Sequence, residues 1–305
     1  MTSLNTRRHR QAGFSLPEFL VSVMVLLAIM STVMTLLLHM ADAHRMVWNR
    51  TQMHSGVRGA TELLQQEVGQ AGLIALPGPV TLVGAVNPGT QTVGVSADAG
   101  LFVGEQIAIG AGLNQETVVV TALDTGAHHV TATFTVAHSI GEPVNVVGGF
   151  ASGIVPASTT NGSTGGVLKL FGDVNSDGSM VYVEYTCDTA GHKLYRNVMP
   201  WNAAAKPALG TAIVLLSNIV PNPNGTPCFT YQTAVVNGTT YVTDVAITLT
   251  VQTQDIDPIT RQFQTETKTL LNVSPRNVFN VWELASLGET NRIQPMPASV
   301  LALLR

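Results

Sequence analysis

Residues 13–38 read GFSLPEFLVSVMVLLAIMSTVMTLLL. From Phe19 to Leu38, 20 residues pass without a charge. Coiled as a helix they rise ~30 Å, the thickness of one hydrocarbon core. The preceding leader, MTSLNTRRHRQAG, clusters Arg7, Arg8 and Arg10. Cations on that side predict a cytoplasmic N-terminus, with the bulk of the chain on the far side of the membrane. Glu18 sits one turn into the apolar helix, where a carboxylate costs about 2–3 kcal/mol and needs a partner. Pro17 falls in the first helical turn, where its missing N–H does no harm. Two ordinary readings compete. A secretory signal could be cut after the small pair Ala41-x-Ala43, but its apolar run would exceed the usual roughly 7–15 residues. A plain signal-anchor fits the length. Neither gives Glu18 a role.

A third reading does. Gly13-Phe14-Ser15-Leu16-Pro17-Glu18, after a short basic leader and before a long apolar helix, resembles the type IV prepilin signal. The resemblance implies that a prepilin peptidase cuts between Gly13 and Phe14 and that Phe14 becomes the N-methylated terminus. It also implies that Glu18, fifth in the mature chain, pairs with a neighbouring subunit's terminal amine during assembly. Two opposite charges in an apolar helical core are each costly alone and much less so together. The chain departs from many major pilins in one respect: Glu18 to Ser55 contains neither Pro nor Gly.

The wider composition agrees with a single span followed by an exported body. Charged residues make up 11% of 305, against about 25% in an ordinary soluble domain, and the net charge is −4. That excludes a charged disordered tail or a long solvated coiled coil, and it argues against a nucleic-acid coat. Only one stretch is long enough to span, so a polytopic membrane protein is excluded.

Past the span, residues 39–76 keep a three- and four-residue apolar step through Met46, Met53, Val57, Leu64 and Val68, until Pro77-Gly78-Pro79. The expected helix is therefore 14–76, with 19–38 in the membrane. From residue 80 the period switches to two. Residues 80–150 read as an inserted all-β module, similar to those found in bacterial and phage surface proteins. Residues 151–166 are Gly/Ser/Thr-rich and read as a linker. Residues 167–277 read as a second β block, in which 241–251 and 262–273 form a long hairpin. Residues 278–305 read as a tail that opens with a short amphipathic helix. The fold class expected is α+β: a pilin-like N-terminal helix packed on an antiparallel sheet, with an inserted β module. The second block resembles PilW/PulJ-like minor pilins in its VEYTCDTAGHKLYR stretch and in the strand ending Ser274-Pro275-Arg276-Asn277.

Two constellations invite chemistry. Asp173-Val-Asn175-Ser-Asp177-Gly178-Ser179-Met-Val-Tyr-Val-Glu184 matches D-x-[DN]-x-[DN]-G-x5-E letter for letter. Asp173, Asn175, Asp177, Ser179 and Glu184 could offer calcium the hard oxygens it takes. The competing reading is a hairpin loop whose Asp and Gly supply turn geometry, since β-type sequence flanks it on both sides. Cys187 and Cys228 lie in the exported block, where a disulfide is expected; two buried thiols are the alternative. Histidines 39, 44 and 54 lack the i,i+4 spacing of a metal pair, and His128, His129 and His138 read as polar strand and turn residues. There is no G-x-S-x-G, P-loop, H-E-x-x-H or C-x-x-C, so no catalytic role is expected.

The resemblance implies a minor pilin of a type IV pilus, acting in assembly, in priming or at the tip. Its partners would be the prepilin peptidase, the inner-membrane assembly platform and other minor and major pilins. The chain would be a single-pass inner-membrane protein first and a cell-surface filament subunit later. A pseudopilin of a type II secretion system carries the same features. A tip adhesin acting through residues 80–150 is a third expectation.

Overall fold

The computed structural model describes Gly13 and residues 15–305. The leader residues 1–12, with their arginines, and Phe14 of the expected cleavage site lie outside the described residues.

The chain is α+β, a long apolar N-terminal helix followed by antiparallel sheets. Helix α1 spans Leu16–Gln70, 55 residues or ~80 Å of rise. Its first half stands free, and its buried residues run only from Asn49 to Val68. Gly56 does not break it. A Cβ there would come within 3.1 Å of Leu216 Cδ1, so the missing side chain lets a strand approach the helix. The helix ends six residues before the expected 76. Gly72 turns to φ +83°, and its N–H donates to the Phe171 carbonyl at 2.9 Å while its carbonyl accepts from Phe150 N–H at 2.9 Å. These backbone bonds redirect the chain before the proline pair is reached.

The next 70 residues form two small antiparallel sheets. Their strands are β1 (Val80–Thr81), β2 (Gly89–Gly94), β3 (Gln106–Ile109), β4 (Glu116–Val119), β5 (Ala122–Asp124), β6 (His129–Phe134) and β7 (Pro143–Val146). One sheet runs β1-β7-β3-β4 and the other β2-β6-β5. They share a core of their own that includes Ile107, Ile109, Val120, Val130, Phe134 and Val144. Strand β2, GTQTVG, has too little apolar character to be legible as a strand.

After β8 (Gly149–Phe150) come β9 (Val167–Gly172), β10 (Val181–Asp188), β11 (Lys193–Pro200) and β12 (Ile213–Ser217), an antiparallel meander. Then β13 (Ile219–Val220), β14 (Phe229–Val236), β15 (Thr239–Gln252) and β16 (Thr265–Val273) assemble around β15. β14 and β15 meet through Asn237-Gly238, both at positive φ, the two-residue turn that matches strand twist. Val57, Ala60, Leu64 and Val68 of α1 pack against Leu170, Val183, Tyr185 and Leu194 of the meander and Val245, Ile247 and Leu249 of β15. One helix face thus closes both sheets.

Residues 151–166 and 278–305 are more integrated than a linker and a tail. Ile154 and Val155 are fully buried, and Ile154 bridges to Leu170. The C-terminal segment forms α2 (Arg276–Ser286), β17 (Ile293–Gln294) and α3 (Ala298–Leu303). β17 pairs in parallel with β8. Val300, Leu303 and Leu304 fill a core with Phe102, Phe150, Phe171 and Tyr182, so the C-terminus is wedged between module and meander.

Candidate functional site

The site begins with the exposed half of α1, which is long and apolar enough to cross a membrane. Phe19, Leu20, Met24, Leu27, Ile29 and Leu37 all stand open, and none of the most apolar window is buried against the body. Its hydroxyls are satisfied within the helix. Ser22 Oγ donates to the Glu18 carbonyl at 2.8 Å, Ser31 and Thr32 to the Ala28 carbonyl at 2.8 and 2.6 Å, and Thr35 to the Ser31 carbonyl at 2.8 Å. A helix that hides its hydroxyls this way asks nothing of surrounding hydrocarbon. Glu18 does ask. Its carboxylate is exposed, and among the described residues it accepts only a long 3.4 Å contact from Ser15 Oγ. Gly13 is exposed as well.

The anchored half carries a polar lock that the sequence reading did not single out. Glu67 is buried on α1 and reaches into the meander. Arg196 donates to Glu67 Oε1 through Nη2 at 2.5 Å and Nε at 3.1 Å, and the Tyr185 hydroxyl donates to Oε2 at 2.5 Å. Burial and then the Glu67 charge push the Tyr185 phenol far above its ordinary value. Burial opposes the Arg196 charge, but the Glu67 bond and charge outweigh it and raise the guanidinium. The signal that could have found the lock is an acid in the apolar stripe Leu64–Val68 and an arginine in a strand; their pairing needs the fold.

Cys187 and Cys228 form a disulfide, S–S 2.03 Å, that ties the end of β10 to the start of β14. It joins the two sheets that α1 covers.

Residues 173–180 turn between β9 and β10, residues 181–184 already belong to β10, and the carboxylates of the stretch are engaged. Asp173 is buried; its Oδ1 accepts from Asp177 N–H at 3.0 Å and its Oδ2 from Gly178 N–H at 2.9 Å. Asp177 Oδ1 accepts from Ser179 N–H at 2.8 Å, and Asn175 and Ser179 face solvent. Glu184 lies within β10 opposite Lys169; it accepts from Tyr182 OH at 2.9 Å and Lys206 Nζ at 3.2 Å, with Lys169 Nζ at 3.6 Å. Two lysines supply the positive charge that a cation would. No group of three or more His, Cys, Asp and Glu converges on a metal position among the described residues. The stretch thus takes the hairpin geometry, with Glu184 in the strand and turned to the two lysines.

His138 differs from the polar turn residue expected. Its ring is fully enclosed, with Nδ1 2.6 Å from Glu142 Oε2 and Nε2 2.8 Å from Glu116 Oε1. Burial opposes its charge, but the bonds and charges of Glu142 and Glu116 outweigh that and raise the imidazole above its ordinary value. The stem histidine His54 pairs with Glu266 of β16.

No protein-family model matches the chain, and no curated protein matches it either.

Proposed function

We propose that the chain is a minor pilin subunit of a type IV pilus, made as an inner-membrane prepilin and drawn into a filament after processing. The observation that carries this reading is one continuous helix with two natures: an exposed apolar half headed by a single carboxylate, Glu18, and a half packed under two disulfide-linked sheets. A carboxylate one turn into hydrocarbon costs about 2–3 kcal/mol unpaired. Cleavage between Gly13 and Phe14 would create the terminal amine that neutralises it, on the neighbouring subunit. In the bilayer the apolar half is covered by lipid. In the filament it would be covered by the stems of other minor and major pilins, so extraction exchanges lipid contacts for helix contacts at small net cost. The lock at Glu67 keeps the body attached to the stem while the assembly platform lifts it. The role is structural, with no catalytic step.

N-terminal mass spectrometry of the mature protein tests the reading. A chain starting at N-methyl-Phe14 is expected, whereas a chain starting at His44 would overturn the reading and leave a soluble exported protein. Glu18→Ala should be processed normally yet enter filaments poorly; unchanged incorporation would remove the pairing role.

A further inference from the structure

The four-stranded meander ends at β12, and the outer edge of that strand is open. β12 pairs only with β11, and its outward N–H and C=O groups find no partner elsewhere among the described residues. Natural sheets blunt such edges with charge, cover or brevity. Other edges of the body follow that rule. β16 carries Glu266 and Lys268, and His54 of the stem pairs with Glu266. β9 is covered by Ile154, which bridges to Leu170, and by Val155, whose N–H donates to the Lys169 carbonyl at 2.9 Å. β14 starts against Gly165, whose carbonyl accepts from Phe229 N–H at 3.0 Å, and its end packs on α2 through Val236. β12 has no such device. Residues 207–218, PALGTAIVLLSN, hold no charge. Ile213 is 56% exposed, and Leu209 and Val214 are each 41% exposed. Ile213 shares a sheet face with Tyr185 and Arg196, whereas Val214 lies on the other face, so apolar surface flanks the open edge on both sides.

The C-terminal end of β12 opens on a cleft of about 250 Å3 between the stem and the end of β15. Leu215, Leu216 and Ser217 line it together with Asn49 and Gln52 of α1 and Gln252 of β15, and no charged side chain does. Asn49 is 7% exposed, and its amide makes no hydrogen bond among the described residues. A buried amide is costly to leave unpaired, and an incoming backbone brings both a donor and an acceptor. The occupant follows from this chemistry. Unpaired backbone groups select an extended strand, and the uncharged apolar flanks select the side chains it carries. A second copy using the same edge does not fit. The dyad of an isologous β12 pair stands perpendicular to the sheet on which α1 lies, so the two stems would run in opposite directions. Two such stems could not enter one membrane; that exclusion rests on the membrane-spanning reading of α1. We propose that β12 accepts a fifth strand, an extended, uncharged segment of another protein, with the end of that segment seated in the cleft beside Asn49.

The test uses the full chain in detergent, with its disulfide intact, and a fluorescent peptide of alternating Thr and Val about six residues long. Anisotropy titration should show saturable binding, and hydrogen exchange should show new protection within Ile213–Ser217. The same peptide N-methylated at every residue cannot donate and should not bind. Ile213→Lys with Val214→Lys charges the edge, as β16 is charged, and should weaken binding about tenfold. Asn49→Ala should weaken it about fivefold; unchanged affinity would remove the cleft from the site. Equal binding of the N-methylated peptide would overturn strand addition in favour of apolar adhesion. No binding, or protection that falls on β14 or β16 instead, would overturn the assignment of the edge. Self-association that protects β12 without peptide would overturn it in favour of a second copy. The processing test at Phe14 is unaffected by any of these results.

Discussion

Glu67→Ala should loosen the stem from the body. Glu67 is 1% exposed, and its two oxygens serve Arg196 and Tyr185. Removing it strands a guanidinium whose side chain is 14% exposed and a phenol that is fully buried. Breaking a buried pair from one side costs about 3–5 kcal/mol, and the partial exposure of Arg196 places this pair near the lower end. The orphaned Tyr185 hydroxyl adds about 1 kcal/mol. A loss of ~3–4 kcal/mol is therefore expected, comparable to Leu64→Ala, which removes a fully buried side chain from the same helix face at about 2–5 kcal/mol. Replacing all three members together (Glu67→Met, Arg196→Met, Tyr185→Phe) should cost far less than Glu67→Ala, because no charge or hydroxyl is then left stranded. The assay is urea unfolding of the full chain in detergent, followed by near-ultraviolet circular dichroism, with Leu64→Ala as the reference. If Glu67→Ala costs under about 1 kcal/mol, or if the triple variant is as unstable as the single one, the desolvation argument is wrong.

Glu105 is fully buried, and burial, only partly offset by the Phe102 N–H bond, pushes its carboxyl up to about 8. The folded chain thus keeps a proton that the unfolded chain releases above about 4.5, so stability should fall as pH rises from about 4.5 to about 8; thermal unfolding should show this slope, and Glu105→Gln should remove it. An unchanged slope in that variant would refute the assignment. His138 is raised, so its contribution should be complete below about 6.5 and fade as pH climbs through the folded value. An imidazole titration by NMR should give a midpoint above about 6.5, and one below it would contradict the ion cluster. Reducing the Cys187–Cys228 bond opens a loop of 41 residues, worth ~4 kcal/mol in the chain-entropy model, and should lower the urea midpoint without changing the helix content of the stem.

What could be read from the sequence, and what could not, follows the range of the interactions. The apolar stem and the alternating strands are encoded within a few residues of themselves, and their patterns stand out. The integration of 151–166 and of the C-terminus is not so encoded. Ile154 and Val155 are two apolar residues in a Gly/Ser/Thr-rich run, and their burial is decided by β9. β17 is two residues long and exists because β8, far earlier in the chain, offers it an edge. The Glu67 lock joins residues 129 apart, and each half alone resembles an ordinary amphipathic position. The Pro77-Gly78-Pro79 signal sets the expected helix boundary at 76, whereas the actual end at Gln70 is decided by backbone bonds from Gly72 to Phe150 and Phe171, residues far along the chain.

The 173–184 stretch separates a pattern from its geometry most sharply. Its letters satisfy a calcium-loop pattern whose distal Glu reaches the ion from a helix. Between two strands the same spacing does something else. The hairpin pairs Gly172 with Val181, so each step outward pairs residues whose numbers keep the same sum, and Glu184 must face Lys169. Opposite charges directly across antiparallel strands stabilise the pair, and a carboxylate drawn toward Lys169 and Lys206 is drawn away from Asp173. That consequence was contained in the hairpin reading once a register was assumed, because VLKLF and MVYVEY carry their Lys and Glu at matching distances from the turn. A motif that names ligands therefore competes with any register that names cross-strand partners, and here the register has the nearer charges.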